Sequence, residues 1–143
     1  MRRAAVGLVA VLALGPTALG CDHGADERET ASILEQIDRL RATDPADREA
    51  VLTALENARP KNVLAEQARL HCAAAYRALL ENLRQTDRLK QMVKAATSDA
   101  GPRPAETAVA RDLDAAEKTL DTANQEMPRC EQATAALRSA PPR

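Results

Sequence analysis

Two cysteines stand at equal distance, twenty-nine residues, on either side of Gly101: Cys72 before it and Cys130 after it. A mirrored set of apolar residues runs between them. Val93 and Val109 are each eight residues from that glycine, Leu89 and Leu113 each twelve, and Leu79 and Ala123 each twenty-two. Leu83 with Leu120, and Tyr76 with Met127, miss the symmetry by a single residue. One ridge reads Cys72, Tyr76, Leu79, Leu83, Thr86, Leu89, Val93; the other reads Val109, Leu113, Ala116, Leu120, Ala123, Met127, Cys130, Thr134, Leu137. The second ridge alternates steps of four and three without a slip, and the first does so up to Thr86; such steps are those of a coiled-coil seam. The spacing predicts two long antiparallel helices, from about Lys61 to Thr97 and from about Pro104 to Leu137, reflected through "SDAGPRP", where glycine and proline together break a helix. Each would be roughly 50 Å long at 1.5 Å per residue.

The register sets Cys72 opposite Cys130. A disulfide needs Cα atoms roughly 4.4–6.8 Å apart. Alanine makes up about a fifth of the chain, and its small side chain lets helix backbones approach that closely. The bridge would close a loop spanning 58 residues, which the chain-entropy account values at about 4 kcal/mol. With Tyr76 the sole aromatic residue, the core is thin and the crosslink is a large share of a typical stability of about 5–15 kcal/mol. Pro128 lies inside the second ridge. It removes a backbone donor and crowds the preceding turn, so that helix is expected to kink near 126–128 or to split there.

Upstream, the pattern predicts a short helical hairpin. Asp26 with Glu29 three residues on forms a capping-box-like pair, and Ile33, Leu34, Ile37 and Leu40 make the stripe. "TDPAD" breaks the chain, with Asp44 as N-cap, Pro45 at the first helical position and Asp47 in the first turn. Val51, Leu52 and Leu55 follow, and the helix ends near Arg59 before Pro60. Ile37 should meet Val51 or Leu52, and Leu34 should meet Leu55. The expected fold is all-α: a long antiparallel hairpin with a short one packed on it, four helices over residues 26–138, and a frayed tail at 139–143.

Residues 1–20 differ from the rest. Arg2 and Arg3 precede "AAVGLVAVLAL", an apolar run that suits a secretory signal and falls short of the roughly 20 residues of a transmembrane helix. "ALGC", ending at Cys21, resembles a lipobox, the cleavage site of bacterial lipoprotein signal peptides, with Ala18 where leucine is usual. The resemblance implies a cut before Cys21, diacylation of its thiol and acylation of the new N-terminus. Residues 21–25 would be a polar tether of at most about 20 Å. Of three cysteines, one then goes to lipid and two remain for a disulfide in an oxidising compartment, the periplasm or cell exterior. Asp22 follows the anchor; in some bacterial lipoproteins an aspartate there marks retention in the inner membrane, and the rule differs between lineages.

Little in the chain points to catalysis. Removing Arg2 and Arg3 from the 20 basic residues leaves 18 against 21 acidic ones, a net charge of −3, which is no footprint for nucleic acid. No C-x-x-C, H-E-x-x-H or C-x-x-C-H occurs, so metal and covalent-haem motifs are absent. A haem held between His71 and Met127 would collide with Tyr76 and the disulfide. There is no glycine-rich phosphate loop and no G-x-S-x-G, and the carboxylates are spread at helical spacing. No cofactor and no enzyme activity are expected.

One charge pattern stands out. Arg84, Arg88, Lys90 and Lys94 outweigh Asp87 on the first long helix; Glu106, Asp112, Asp114, Glu117 and Asp121 outweigh Arg111 and Lys118 on the second. These charges would either form salt bridges that flank the hairpin seam or make a bipolar arm that docks a partner. The short helices can cover only the half of the hairpin that holds the cysteines, so residues from about Arg84 to Asp121 should project. Leu80 and Met92, off the seam, are the expected partner surface, for another envelope protein or for a second copy; Leu80 can alternatively meet the short helices, whereas Met92 has little to cover it. The expected function is non-enzymatic: a lipid-anchored protein-binding or scaffolding domain at the membrane surface of the cell envelope. Size, anchor and helicity also resemble pilotins, small lipoproteins that carry secretion-channel subunits to the outer membrane. Small-ligand binding within the bundle near Tyr76 is the third reading.

Overall fold

The computed structural model describes residues 23–97 and 105–140. The leader, Cys21, Asp22, the pivot at Gly101 and residues 141–143 lie outside them. Four helices and, among the described residues, no strands make up the fold: α1 (His23–Ala42), α2 (Arg48–Asn57), α3 (Val63–Ala96) and α4 (Glu106–Ser139). The architecture is the expected one. α3 and α4 pack along their length as an antiparallel hairpin, and α1 and α2 pack on one end of it.

The helix boundaries are set by chemistry that differs in places from the local signals. α1 begins at His23 rather than at Asp26, so residues 23–25 belong to its first turn and not to a tether. Glu29 does not close a capping box on its own helix; its carboxylate accepts the backbone N–H groups of Lys61 and Asn62, each at 2.8 Å. Pro45 to Asp47 form a turn, with the Asp47 N–H on the Asp44 carbonyl at 2.9 Å, and α2 starts only at Arg48. α3 starts under a side-chain cap, Asn62 accepting from the N–H groups of Leu64 and Ala65 at 2.9 and 3.2 Å. α4 is not split: it runs through Pro128 as one helix. Pro128 is on the exposed side, where water can take the carbonyl that proline leaves without a donor.

The core sits at one end. Ile33, Ile37 and Leu40 of α1 and Leu52 and Leu55 of α2 close on Cys72, Tyr76 and Leu80 of α3 and on Cys130 and Leu137 of α4. Ala65, Ala68 and Ala75 are fully buried among them. These small side chains bring the hairpin's backbones together, and Cys72 and Cys130 are joined with their Cα atoms 4.5 Å apart. Salt bridges tie α2 to the outside of α3. Arg77 donates to Glu56 at 2.5 and 2.9 Å and to Glu49 at 2.5 Å, and Arg84 reaches Glu49 at 2.7 Å. The Arg77 hydrogen bond is the main cause that holds the Glu49 carboxyl below its ordinary range.

Candidate functional site

The stapled end offers little for chemistry. Tyr76, the residue around which an internal ligand site was expected, is 6% exposed and belongs to the core; the Arg48 guanidinium lies 5.9 Å from its ring centroid. His71 meets Glu126 across the hairpin, Nδ1 to Oε2 at 2.7 Å, and Arg129 donates to the other oxygen at 2.7 Å. The hydrogen bond to His71 comes first, and Arg129 adds to it, in pushing the Glu126 carboxyl down. Thr134 donates to the Cys130 carbonyl at 2.7 Å, with its oxygen 3.5 Å from the Cys72 sulfur. A shallow cleft of about 540 Å³ opens where the start of α1 meets the start of α3 and the end of α4, with Leu34, Leu64 and Leu137 as apolar lining and Asp26, Glu27 and Lys61 as charged lining. Among the described residues no three His, Cys, Asp or Glu side chains are grouped to hold a metal ion, and no helix is long and apolar enough to cross a membrane.

The projecting arm departs from the expected seam. Leu83, Val93, Leu113 and Leu120 were to face inward, yet they are 44%, 58%, 55% and 45% exposed. The interface is turned by one residue on each helix. On α3 it is built from Ala75, Ala78, Asn82, Gln85 and Leu89; on α4 it keeps Val109, Ala116 and Ala123 but pairs them with Asp112, Thr119 and Glu126, all at least half-buried. Hydrogen bonds explain the rotation. The Asn82 amide donates to the Ala116 carbonyl at 2.7 Å, and the Thr119 hydroxyl donates to the Gln85 side-chain oxygen at 2.8 Å. Gln85 is 6% exposed, so its amide needs partners that leucine could not supply. The small interfacial residues also allow the close approach that the staple enforces below.

This rotation changes which residues are available to a partner. Leu80 is 6% exposed and packs in the core with the short helices, the alternative open to it, and so leaves the expected partner surface. Met92 is half-buried. The residues that sequence reasoning assigned to the interior, Leu83, Leu113, Leu120 and Val93, are the ones presented to solvent. Their spacing carries the signal. Leu83 is one heptad past Tyr76, Leu120 and Leu113 are one and two heptads before Met127, and Val93 is three past Cys72. Tyr76 and Cys72 lie in the core, and Met127 packs against it. The exposed row therefore continues, beyond the end of α1, the face that the short helices cover.

Among the described residues, the expected salt bridges across the arm do not form. Arg84 pairs with Glu49 and Glu81, Arg88 with Glu81 and Lys90 with Asp87, all within α3 or with α2, and Lys94 takes part in no ion pair among the described residues. Arg111 and Asp112 pair as neighbours on α4. Asp114, Glu117 and Asp121 are exposed and take part in no ion pair among the described residues. No family model matches the chain, and no curated protein or solved structure shows significant similarity to it.

Proposed function

We propose that this chain is a lipid-anchored protein of the bacterial cell envelope, in which a non-enzymatic helical domain binds or scaffolds other proteins at the membrane surface. The bridge between Cys72 and Cys130 carries the reading. A structural disulfide belongs to an oxidising compartment, and its formation leaves Cys21 as the single remaining cysteine, at the end of the lipobox-like "ALGC". An exported domain with a free thiol directly after a small-residue cleavage site is the substrate that lipoprotein acylation requires. The protein-binding part of the proposal is supported by the arm, whose solvent-facing leucines exceed what its own four helices cover.

The anchor is tested in bacterial cells by labelling with an alkyne-bearing palmitate analogue, with and without Cys21→Ser. Incorporation that vanishes in the variant, together with membrane fractionation, supports the proposal. A chain that is unlabelled, or is labelled equally after Cys21→Ser, overturns it.

A further inference from the structure

We infer that the exposed face of the arm is a docking groove for a single amphipathic helix whose apolar stripe lies along Leu83, Leu113 and Leu120 and whose edge over α4 is basic. This deepens the protein-binding part of the function proposed above and rests on it.

The groove has an occupant at its other end. At the stapled end α1 contacts both α3 and α4 and buries Ile33, Ile37 and Leu40 there. The same heptad positions extend into the arm as Leu83, Leu113, Leu120 and Val93, with none of the described residues covering them. From Leu83 to Val93 is about 15 Å of helix at 1.5 Å per residue, room for three turns of a visiting helix with apolar residues at i, i+3 or i+4, and i+7.

Charge selects the visitor. Where α1 passes α4, Arg138 donates to Asp38 of α1 at 2.6 and 2.8 Å. Glu117 is three heptads before Arg138, so it occupies the same ridge of α4 with the opposite sign. Asp114 and Asp121 flank it. A helix continuing the path of α1 therefore meets carboxylates on its α4 side, and lysines or arginines there would pair with them. On the α3 side Lys90 holds Asp87 at 3.1 Å and Lys94 alone takes part in no ion pair among the described residues, one charge against three on α4, so that edge makes a weaker demand.

A second copy of the chain fits less well. A two-fold axis along the arms would bring α3 against the partner's α4, but the short helices cover the same face and would collide. A two-fold axis across the arms would avoid them and set α4 against α4, acid on acid. The short contact implies a transient complex at the small end of specific interfaces, below about 1,200 Å².

The test uses the full-length chain and two synthetic helical peptides of about eighteen residues, long enough to form a helix. They share one leucine stripe and differ only in an edge of lysines or of glutamates. Fluorescence anisotropy should show binding of the lysine peptide, weakened at least about tenfold by Leu120→Glu or Leu113→Glu, with the helical circular dichroism unchanged. Glu117→Lys combined with Asp121→Lys should transfer the preference to the glutamate peptide. Glu117→Lys alone should weaken the lysine peptide, and Glu35→Lys, the same charge change placed on α1, should leave binding as it was. The inference is overturned if neither peptide binds, if Leu120→Glu has no effect, or if Glu35→Lys weakens binding as much as Glu117→Lys. It is also overturned if the chain dimerises in sedimentation and Leu120→Glu abolishes the dimer. Palmitate labelling does not depend on this surface, so loss of the anchor and loss of the groove are read separately.

Discussion

Glu29 of α1 caps the start of α3 through Asn62: one carboxylate oxygen accepts the backbone N–H groups of Asn62 and Lys61, both at 2.8 Å. Asn62 is itself the N-cap of α3. A side chain from a helix residue 33 positions upstream thus supplies an acceptor beside that cap, and it locks the short hairpin to the long one.

Replacing that carboxylate should be felt at neutral pH. Glu29→Ala leaves two backbone donors to water and should cost about 1 kcal/mol, the usual value of a helix cap. Chemical denaturation at pH 7 measures it. Those two donors also hold the Glu29 carboxyl below its ordinary value of 4.5. A depressed native pKa adds stability that is full above the unfolded value and is lost as pH falls through the native one. The wild-type chain should therefore lose stability on acidification below about pH 4.5, and Glu29→Gln should lose less over the same range. Parallel curves for the two proteins would contradict this account.

The staple between Cys72 and Cys130 closes a 58-residue loop. Strong reductant, or Cys130→Ser together with Cys72→Ser, should remove about 4 kcal/mol and lower the melting temperature by about 10 °C or more. Circular dichroism melts with and without reductant are sufficient. An unchanged midpoint would mean that the crosslink does not restrain the unfolded chain as supposed.

Leucines at the two ends of the molecule should behave differently. Leu40 and Leu52 are fully buried, and alanine at either should cost about 2–5 kcal/mol. Leu113 and Leu120 are about half-exposed, and alanine at either should stay within about 0.5 kcal/mol. Equal losses from Leu120→Ala and Leu52→Ala would restore the leucine seam that the rotation replaces.

Thr119 should matter more than its size suggests. Its hydroxyl donates to the Gln85 side-chain oxygen at 2.8 Å, and Gln85 is nearly buried. Thr119→Val keeps the shape and removes the donor, so it should cost about 1–3 kcal/mol, the range for a buried polar atom left without a partner. Urea titration reads it directly.

The hairpin and its register were legible because two constraints coincided: a three-and-four spacing and two cysteines equidistant from a glycine. The rotation of the arm was not. Two ridges of α4 share Val109, Ala116, Ala123 and Cys130, and they differ in whether Leu113, Leu120 and Met127 or Asp112, Thr119 and Glu126 lie beside them. Hydrophobicity favours the leucines. The decision falls to Asn82, Gln85 and Thr119, whose hydrogen bonds are made between helices and cannot be seen along one. The presence of two amides on α3 and a hydroxyl at mirrored height on α4 was the available signal. Helix starts failed for a related reason: Glu29 and Asp44 fit local capping patterns, yet Glu29 serves a distant helix and Asp44 serves a turn.

The core lies wholly at the stapled end, and this has a kinetic consequence. Separating the tip of the arm exposes little new apolar surface, whereas separating α3 from α4 near Cys72 requires the whole cluster to open. Amide hydrogens should therefore exchange with deuterium in a gradient, quickly near Val93 and Val109 and only on global unfolding near Cys72. One end of the molecule would breathe on its own while the other, next to the membrane if Cys21 is acylated, stays shut.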